Sequence, residues 1–419
     1  LKHLFEKELK EKKLDSVLHE IELPLLPILA QMERTGIYLD VKKLAQQGEA
    51  LTDELTEITA KIYSLVGETF NLNSPKQLSS ILFEKLQLKL HGKKNTEFST
   101  SADVLEELSD QHPVVQEILT YRTLEKLRST YVESLPAQVH PETHRIHCTF
   151  NQSVTATGRL SCQDPNLQNI PVKSPEGLAI RSAFKPQKKG WSYVGADYSQ
   201  IELRLLAHFS KDPSLIKAFK SGEDIHTFTA SLVFDMPQGL VTPDMRAQAK
   251  TVNFGILYGQ GPHGLAKQLH ISYAEASEFI KTYFERYPKV SEYLEECKEN
   301  ARKTGFASTL TGRQRPIAEI HNKNPMIRAG AERLAINTPL QGTAADLIKI
   351  AMIHIDEEIR KKNLSGFMIL QIHDELIFEV PDEEIPVFEQ LVKTKMEHVF
   401  KLLVPIEVHI SVGKNWGEC

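Results

Sequence analysis

FMILQIHDELIFEV (residues 367–380) is the stretch on which the fold turns. Its halves, FMILQI (367–372) and ELIFEV (375–380), are apolar runs of strand length, and only His373-Asp374 separates them. So short a break between two such runs predicts a tight hairpin with Asp374 and Glu375 at its tip. Upstream, WSYVGA (191–196) is another buried-strand pattern that ends at Asp197, and QIELRLLAHF (200–209) follows with helical periodicity. Downstream, Ile406, Val408, Ile410 and Val412 alternate as a further strand. Strands therefore cluster at 191–196 and 367–412. The segment between them, about 213–330, reads as mostly helical, with its longest helix opening at Thr242-Pro243, and another helix is expected through 343–361. The pattern is that of an α+β chain with a helical insertion.

The first third is helical throughout. Residues 14–36 form an apolar helical stretch that Pro24 and Pro27 are expected to break and Gly36 to stop. Leu51, Leu55, Ile58, Ile62 and Leu65 step by four and three, the seam of a long helix. Ser74-Pro75 opens another as N-cap and first residue. HGKKNTEFSTS (91–101) is expected to be an exposed basic tip, after which YRTLEKLRST (121–130) resumes the helix.

Composition narrows the class. At 419 residues the chain is too long for one core, and 41% hydrophobic with 25% charged residues is the balance of a folded soluble protein. No apolar run approaches the roughly 20 residues that cross a bilayer. Cys148, Cys162, Cys297 and Cys419 are scattered, which excludes a zinc ribbon and points to a reducing compartment. They are expected to be spectators. A net charge of -5 leaves no global basic footprint, so any nucleic-acid contact must come from local patches. The chain opens at Leu1 without a signal-peptide pattern and reads as part of something longer.

Two constellations could carry chemistry. A single Asp in a turn is ordinarily a solvated Asx-turn. Here Asp197 and the pair Asp374-Glu375 lie at ends of strands that would share a sheet. Hard divalent ions such as Mg²⁺ take carboxylate oxygens from a few rigid points and leave the other positions to water and phosphates. Two such ions can activate a hydroxyl and stabilise a leaving oxygen. The second constellation is Arg246, Lys250, Phe254 and Tyr258, which recur at steps of four on one helix face. Two cations followed by two aromatics suit a nucleoside triphosphate, with its charged end and flat end. A plain boundary stripe between wet and dry faces is the alternative, and the pattern alone leaves both open. Gly259, Gly261 and Gly264 match G-x-G-x-x-G but follow a helix instead of a strand, so a dinucleotide fold is rejected. His373 and Asp374 are expected on opposite faces of their hairpin, and no G-x-S-x-G elbow is present, so a hydrolase triad is rejected too.

TATGRLSCQDPNLQNIP (155–171), DYSQIELR (197–204), RAQAKTVNFGILYG (246–259), NTPLQGTAAD (337–346) and QIHDE (371–375) together resemble the ordered motif set of the family A DNA polymerases. The resemblance runs from about residue 14 to the end. It implies a right-hand polymerase with a mainly antiparallel palm sheet. The implied divisions are the end of an upstream exonuclease-like domain with a linker at 1–40, a thumb at 41–135, a palm at 136–212 and 331–419, and fingers at 213–330. It further implies a DNA-directed DNA polymerase that uses dNTPs on primer-template DNA with two Mg²⁺ ions (Mn²⁺ as substitute). A monomer in the bacterial cytoplasm, associated with the nucleoid and without a membrane partner, is the accompanying expectation.

Site roles follow from the same resemblance. Asp197 and Asp374 resemble the metal-binding aspartates, with Glu375 beside them. Arg246 and Lys250 resemble the triphosphate cations, Lys250 also as proton donor to pyrophosphate. Phe254 resembles the residue under the incoming sugar, and its lack of a hydroxyl implies discrimination against dideoxynucleotides. Tyr258 resembles the residue that closes the pocket near the templating base, and Glu202 the steric gate against a ribose 2′-OH. Gln200 and His226 resemble further triphosphate contacts. Arg159, Arg333, Asn337, Gln341 and His373 resemble primer-terminus or minor-groove readers, and Asn166, Gln168 and Asn169 template contacts. Lys126, Arg128, Ser129 and Thr130 suit phosphate positioning of the duplex.

Three features depart from the pattern or qualify it. Gln260-Gly261-Pro262-His263 stands where the family usually has Met-Ser and then an aromatic or His, and Cys162 stands where Ser is common. The family's exonuclease motifs are not among these residues, so polymerisation without proofreading is expected of the chain. A single-subunit RNA polymerase shares the aspartates and the Arg, Lys and Tyr, but Glu202 argues against it. A silent primer-template-binding module would be free to lose Asp197, Asp374 or Lys250, and all three are present.

Overall fold

The computed structural model describes residues 2–90, 99–172 and 174–419, so most of the expected basic tip lies outside the described residues. The chain forms two compact units. One comprises residues 1–35, 148–168 and 190–412, and the other 36–147, 169–189 and 413–419.

The first unit is organised by β1 (Trp191–Tyr198), α1 (Ile201–Ser210), α2 (Pro243–Leu257), α3 (Pro325–Lys361), β2 (Phe367–Ile372), β3 (Glu375–Pro381) and β4 (Val408–Gly413). The sheet order is β4-β1-β3-β2, and β1 and β2 both run antiparallel to β3. His373 and Asp374 form the expected two-residue turn, closed by the Ile372–Glu375 pair. His373 makes that turn at φ 52, a left-handed value uncommon outside glycine. Residues 192–196 of β1 are all buried, so this strand reads as a continuous apolar run instead of an alternating one. β4 starts at Val408, two residues later than the alternation suggested, and its Val412 is exposed.

Helix boundaries depart from the sequence reading in instructive places. α3 begins at Pro325, capped by the Asn324 side chain, and runs 37 residues through Pro339 where only 343–361 was expected to be helical. One proline removes a single backbone donor, and burial along most of α3 offsets that loss. Gly342 in its middle has no room for a side chain, since a Cβ would lie 2.5 Å from Thr309 Cγ2. Thr242-Pro243 does open α2, with Thr242 Oγ1 accepting from Met245 N at 3.2 Å. At 15 residues, however, α2 is shorter than the 17-residue helix Pro288–Thr304. Pro24 and Pro27 break nothing. The irregularity is a π-helical turn at Val17–Glu22, Pro27 lies inside the helix Leu23–Thr35, and Gly36 ends it at φ 64.

In the second unit, the helix Val41–Val66 packs on Pro113–Leu127. Its buried line ends Ile62, Val66, while Leu65 is 37% exposed. A strict 4-3 repeat drifts around a helix of 3.6 residues per turn, so the last step is four. Ser74 caps the helix that starts at Pro75, accepting from Gln77 N. The helix through 121–127 passes at Arg128 into another π-helical turn, Arg128–Val132.

A charged cluster locks the π-turn of the first unit to α3. Glu22 accepts from Lys349 Nζ at 2.8 Å and from Arg313, whose Nε donates to Asp346 Oδ1 at 2.8 Å. Thr309 Oγ1 donates to the same Asp346 at 2.7 Å, and Asp346 and Lys349 are fully buried. Burial alone would raise the Glu22 carboxyl, but Lys349 and then Arg313 hold it below the usual glutamate range. Glu22→Ala leaves the buried Lys349 without its partner, while Arg313 keeps Asp346, and should cost about 3 kcal/mol in urea unfolding at pH 7. Because the folded carboxyl is depressed, wild type's advantage over Glu22→Gln should be full at neutral pH. It should fade as pH falls below the ordinary glutamate value and through the folded one.

Candidate active site

The register of β1 against β3 sets Asp197 opposite Glu375, and Tyr198 N donates to the Asp374 carbonyl at 3.2 Å. Asp197 and Asp374 therefore meet at one end of two neighbouring strands. They open on a pocket of about 450 Å³ whose wall also carries Arg159, Gln200, Glu202 and His373. His226, Arg246, Lys250, Phe254 and Tyr258 line it as well. The face of α2 is thus part of a pocket wall.

The acidic end is electrostatically unfavourable as it stands. Burial, and then the neighbouring Asp374, push Asp197 up to about 6. Burial raises Asp374 as well, against the pull of Arg159 and His373. The nearest cation gives little relief: Arg159 Nη2 is 3.8 Å from Asp374 Oδ1 but donates to Glu202 Oε1 at 2.8 Å. Among the described residues no group of three or more His, Cys, Asp or Glu side chains is placed to enclose a metal. Two hard oxygen ligands of like charge, with the other positions open, fit Mg²⁺, which keeps waters and takes phosphate oxygens, and do not fit a closed structural site.

Glu202 links the two sets of lining residues. It is buried near the start of α1, and Gln200 makes the corner into that helix at φ 53. Its second oxygen accepts from Tyr258 Oη at 3.0 Å. Burial raises the Glu202 carboxyl, Arg159 counters that rise, and burial raises the Tyr258 phenol. Tyr258 and Phe254 stack with ring centroids 6.3 Å apart.

On the cationic wall, Arg246 is held side-on by Asp224, with Nε to Oδ1 at 3.0 Å and Nη2 to Oδ2 at 2.7 Å. Burial would raise Asp224, but the hydrogen bond from Arg246 and that from Thr227 N outweigh it and hold the carboxyl near 2. Burial lowers His226 to about 4, so its imidazole is neutral at pH 7. Asn253 Nδ2 lies 3.1 Å from His226 Nδ1, and this donor leaves Nδ1 as acceptor and places the ring proton on Nε2. Asn253 is itself fully buried and bonded to Thr229.

The profile of DNA polymerase family A matches residues 41–418. This chain belongs to DNA polymerase family A. It is 49% identical over 409 residues to DNA polymerase I of Geobacillus stearothermophilus, covering 98% of this chain and 47% of that one. The Bacillus subtilis DNA polymerase I is 50% identical over 397 residues, 95% of this chain and 45% of its relative. The chain thus spans about half the length of these relatives. The solved polymerase domain of Pol1 from M. smegmatis, in complex with DNA primer-template and dNTP, superposes with a TM-score of 0.93 at 42% identity. That match covers 98% of this chain and 73% of the other, and it bears out the α+β right-hand polymerase fold.

Some expected site residues of this family A chain sit elsewhere than the pocket. Glu375 is not in its wall; it is paired in the sheet with Asp197 and Ile372. His373 and Asp374 were expected on opposite faces but line the same pocket, because strand alternation lapses in a two-residue turn. Arg333 lines a neighbouring recess with Tyr258 and the exit Gln260-Gly261-Pro262-His263. It shares one face of α3 with Asn337 and Gln341, and Asn337 Oδ1 is buried with no hydrogen-bond partner among the described residues. Gln168 donates to the Gln371 carbonyl at 3.0 Å, and Asn166 Oδ1 accepts from Gln168 N. Asn169, Lys126, Arg128, Ser129 and Thr130 belong to the second unit. There Arg128 forks onto Glu125 with two contacts of 2.8 Å and Ser129 Oγ donates to the Glu125 carbonyl. Cys148, Cys162 and Cys297 are buried, and all four thiols are free. Asp224 and Asn253 escaped the sequence reading; their signal was a polar residue one or two positions from His226 and Phe254.

The raised Asp197 carboxyl makes its ionisation a cost to the folded state. Asp197→Asn should stabilise the ligand-free protein at pH 8 by about 1 kcal/mol, less than full linkage because the carboxylate faces solvent. The gain should vanish by pH 4, where the wild-type carboxyl is protonated; thermal unfolding at both pH values reads it.

Proposed function

We propose that the chain adds deoxynucleotides to a primer 3′-OH under template direction, releasing pyrophosphate. The observation that carries this is one pocket with two repelling carboxylates at one end and an Arg, Lys and neutral His at the other. Asp197 and Asp374 would hold Mg²⁺, which lowers the pKa of the primer hydroxyl and offsets charge on the phosphates when bound. Arg246 and Lys250 face the triphosphate, and His226 offers its Nε2 proton to a phosphate oxygen. The primer hydroxyl gives its proton to solvent and its oxygen attacks the α-phosphorus; the bond from that phosphorus to the bridging oxygen breaks, and Lys250 supplies a proton to the departing pyrophosphate.

The aromatic pair fits the nucleoside end, Phe254 under the sugar and Tyr258 against the base pair. Glu202 is held by both Arg159 and Tyr258, so it has no free rotamer with which to yield to a 2′-hydroxyl. That rigidity supports a gate against ribonucleotides and disfavours the RNA polymerase reading. Arg159, Arg333, Asn337, Gln341 and His373 are assigned to the primer terminus and minor groove, whose acceptors are shared by all correct pairs. Asn166, Gln168 and Asn169 are assigned to the template, and Lys126, Arg128, Ser129 and Thr130 to the duplex backbone. The divisions into thumb, palm and fingers given above belong to the same proposal, as does extension without trimming of a mismatched end by this chain.

Extension of a primed template by one nucleotide tests the reading. With Mg²⁺ the chain should use dNTP and leave a mismatched primer uncut. Asp374→Asn should abolish turnover while primer-template binding persists. Glu202→Ala should raise ribonucleotide use by about a hundredfold, the scale of removing one wall of a discriminating pocket. Equal use of rNTP by the unaltered chain would overturn the gate, and tight DNA binding without extension would leave only a binding module.

A further inference from the structure

The contact between Asp224 and Arg246 has a geometry that does more than neutralise charge. A guanidinium has two edges that can each grip an anion in parallel, one formed by Nε with Nη2 and one by the two terminal nitrogens. Asp224 takes the first edge with both of its oxygens, at 3.0 and 2.7 Å. The terminal edge stays available, and Arg246 still lines the pocket. The carboxylate that makes this grip is itself fixed. Asp224 caps the helix Ile225–Val233, with Oδ1 accepting from Thr227 N at 2.7 Å, and the same helix carries His226 into the pocket wall.

We infer that Asp224 is a positioning residue for nucleotide binding, orienting the terminal edge of Arg246 toward the phosphates of the incoming nucleotide. The inference rests on the triphosphate reading of the pocket. An arginine free to rotate must be ordered when the triphosphate binds, and one already forked onto a helix cap has been ordered by folding. The opposing effect is that an Asp beside the cation weakens its pull on phosphate. The pair is about two-fifths exposed on each side, so solvent screens that penalty, while the alignment of a planar fork is not screened.

The test uses the full chain on primed template, with initial rates at varied dNTP and thermal unfolding of each variant. Asn caps a helix as well as Asp does but cannot pair with an arginine's charge, so Asp224→Asn separates the two roles of this side chain. Asp224→Asn should raise the KM for dNTP about tenfold, the scale of an arginine's returned rotamer freedom, with kcat nearly unchanged and a smaller fall in Tm than Asp224→Ala shows. Combined with Arg246→Ala it should add nothing further, since both changes remove the same contact. A fall in KM would overturn the inference and make Asp224 a competitor of the triphosphate. An unaltered KM in Asp224→Asn, whatever its Tm, would overturn it and leave a helix cap. The underlying reading is tested separately by Arg246→Ala alone: a KM unmoved by that change would sink the triphosphate assignment itself.

Discussion

Two carboxylates that repel each other are held at the mouth of one pocket because a two-residue turn leaves them no other place. β3 must pair with β1 in the register that buries Leu376, Phe378 and Val380 against Ala196 and Val194. A slip by one residue would turn these side chains to the other face. Once that register is set, Asp197 and the turn residue Asp374 are neighbours whatever the electrostatic cost. The hydrophobic sheet supplies the energy, and the raised carboxyls are where the cost appears. A cation bound there would remove the repulsion, so the carboxylates repel most strongly where the proposed reaction needs positive charge.

Glu202 shows the same economy by a different route. A buried carboxylate usually needs a partner of opposite charge. Arg159 and Tyr258 provide for it from two other chain segments, so one carboxyl ties the strand 161–163 region, α1 and the end of α2 into a single wall. The neutral His226 is arranged in the opposite sense. Burial denies it a charge, and Asn253 decides which nitrogen keeps the proton. A neutral donor at that point contributes direction, and the cations beside it contribute charge.

What the sequence disclosed follows from how local each signal is. The hairpin, the strand before Asp197 and the face of α2 are patterns of adjacent or regularly spaced residues, and all three are present in the structure. The helix expected at 343–361 was too short because the burial that carries α3 through Pro339 is not a local signal. Glu22 lies more than three hundred residues from Lys349, so no window of sequence could join them. Leu65 failed for a subtler reason, since the heptad step drifts only after several turns of one helix. His373 was assigned a face by strand geometry that stops at the turn it occupies.

Asp224 and Asn253 were missed because neither touches the pocket; each acts on a residue that does. Sequence motifs mark the side chains that meet a ligand, since those are tied to the ligand's chemistry. The residues that aim them are tied to the geometry of the fold, and a carboxylate at a helix start has an ordinary explanation as a cap. Asp224 has that ordinary role as well. Its two functions are compatible because a cap uses one lone pair of one oxygen, and a bidentate grip on arginine uses one more on each oxygen. An orienting group built on a cap costs the fold little, because the helix already requires that side chain to be fixed. Behind the cationic end of the pocket stand Asp224 and Asn253. In the proposed reaction the donors assigned to phosphate are thus aligned in advance, and the carboxylates would be completed by what binds.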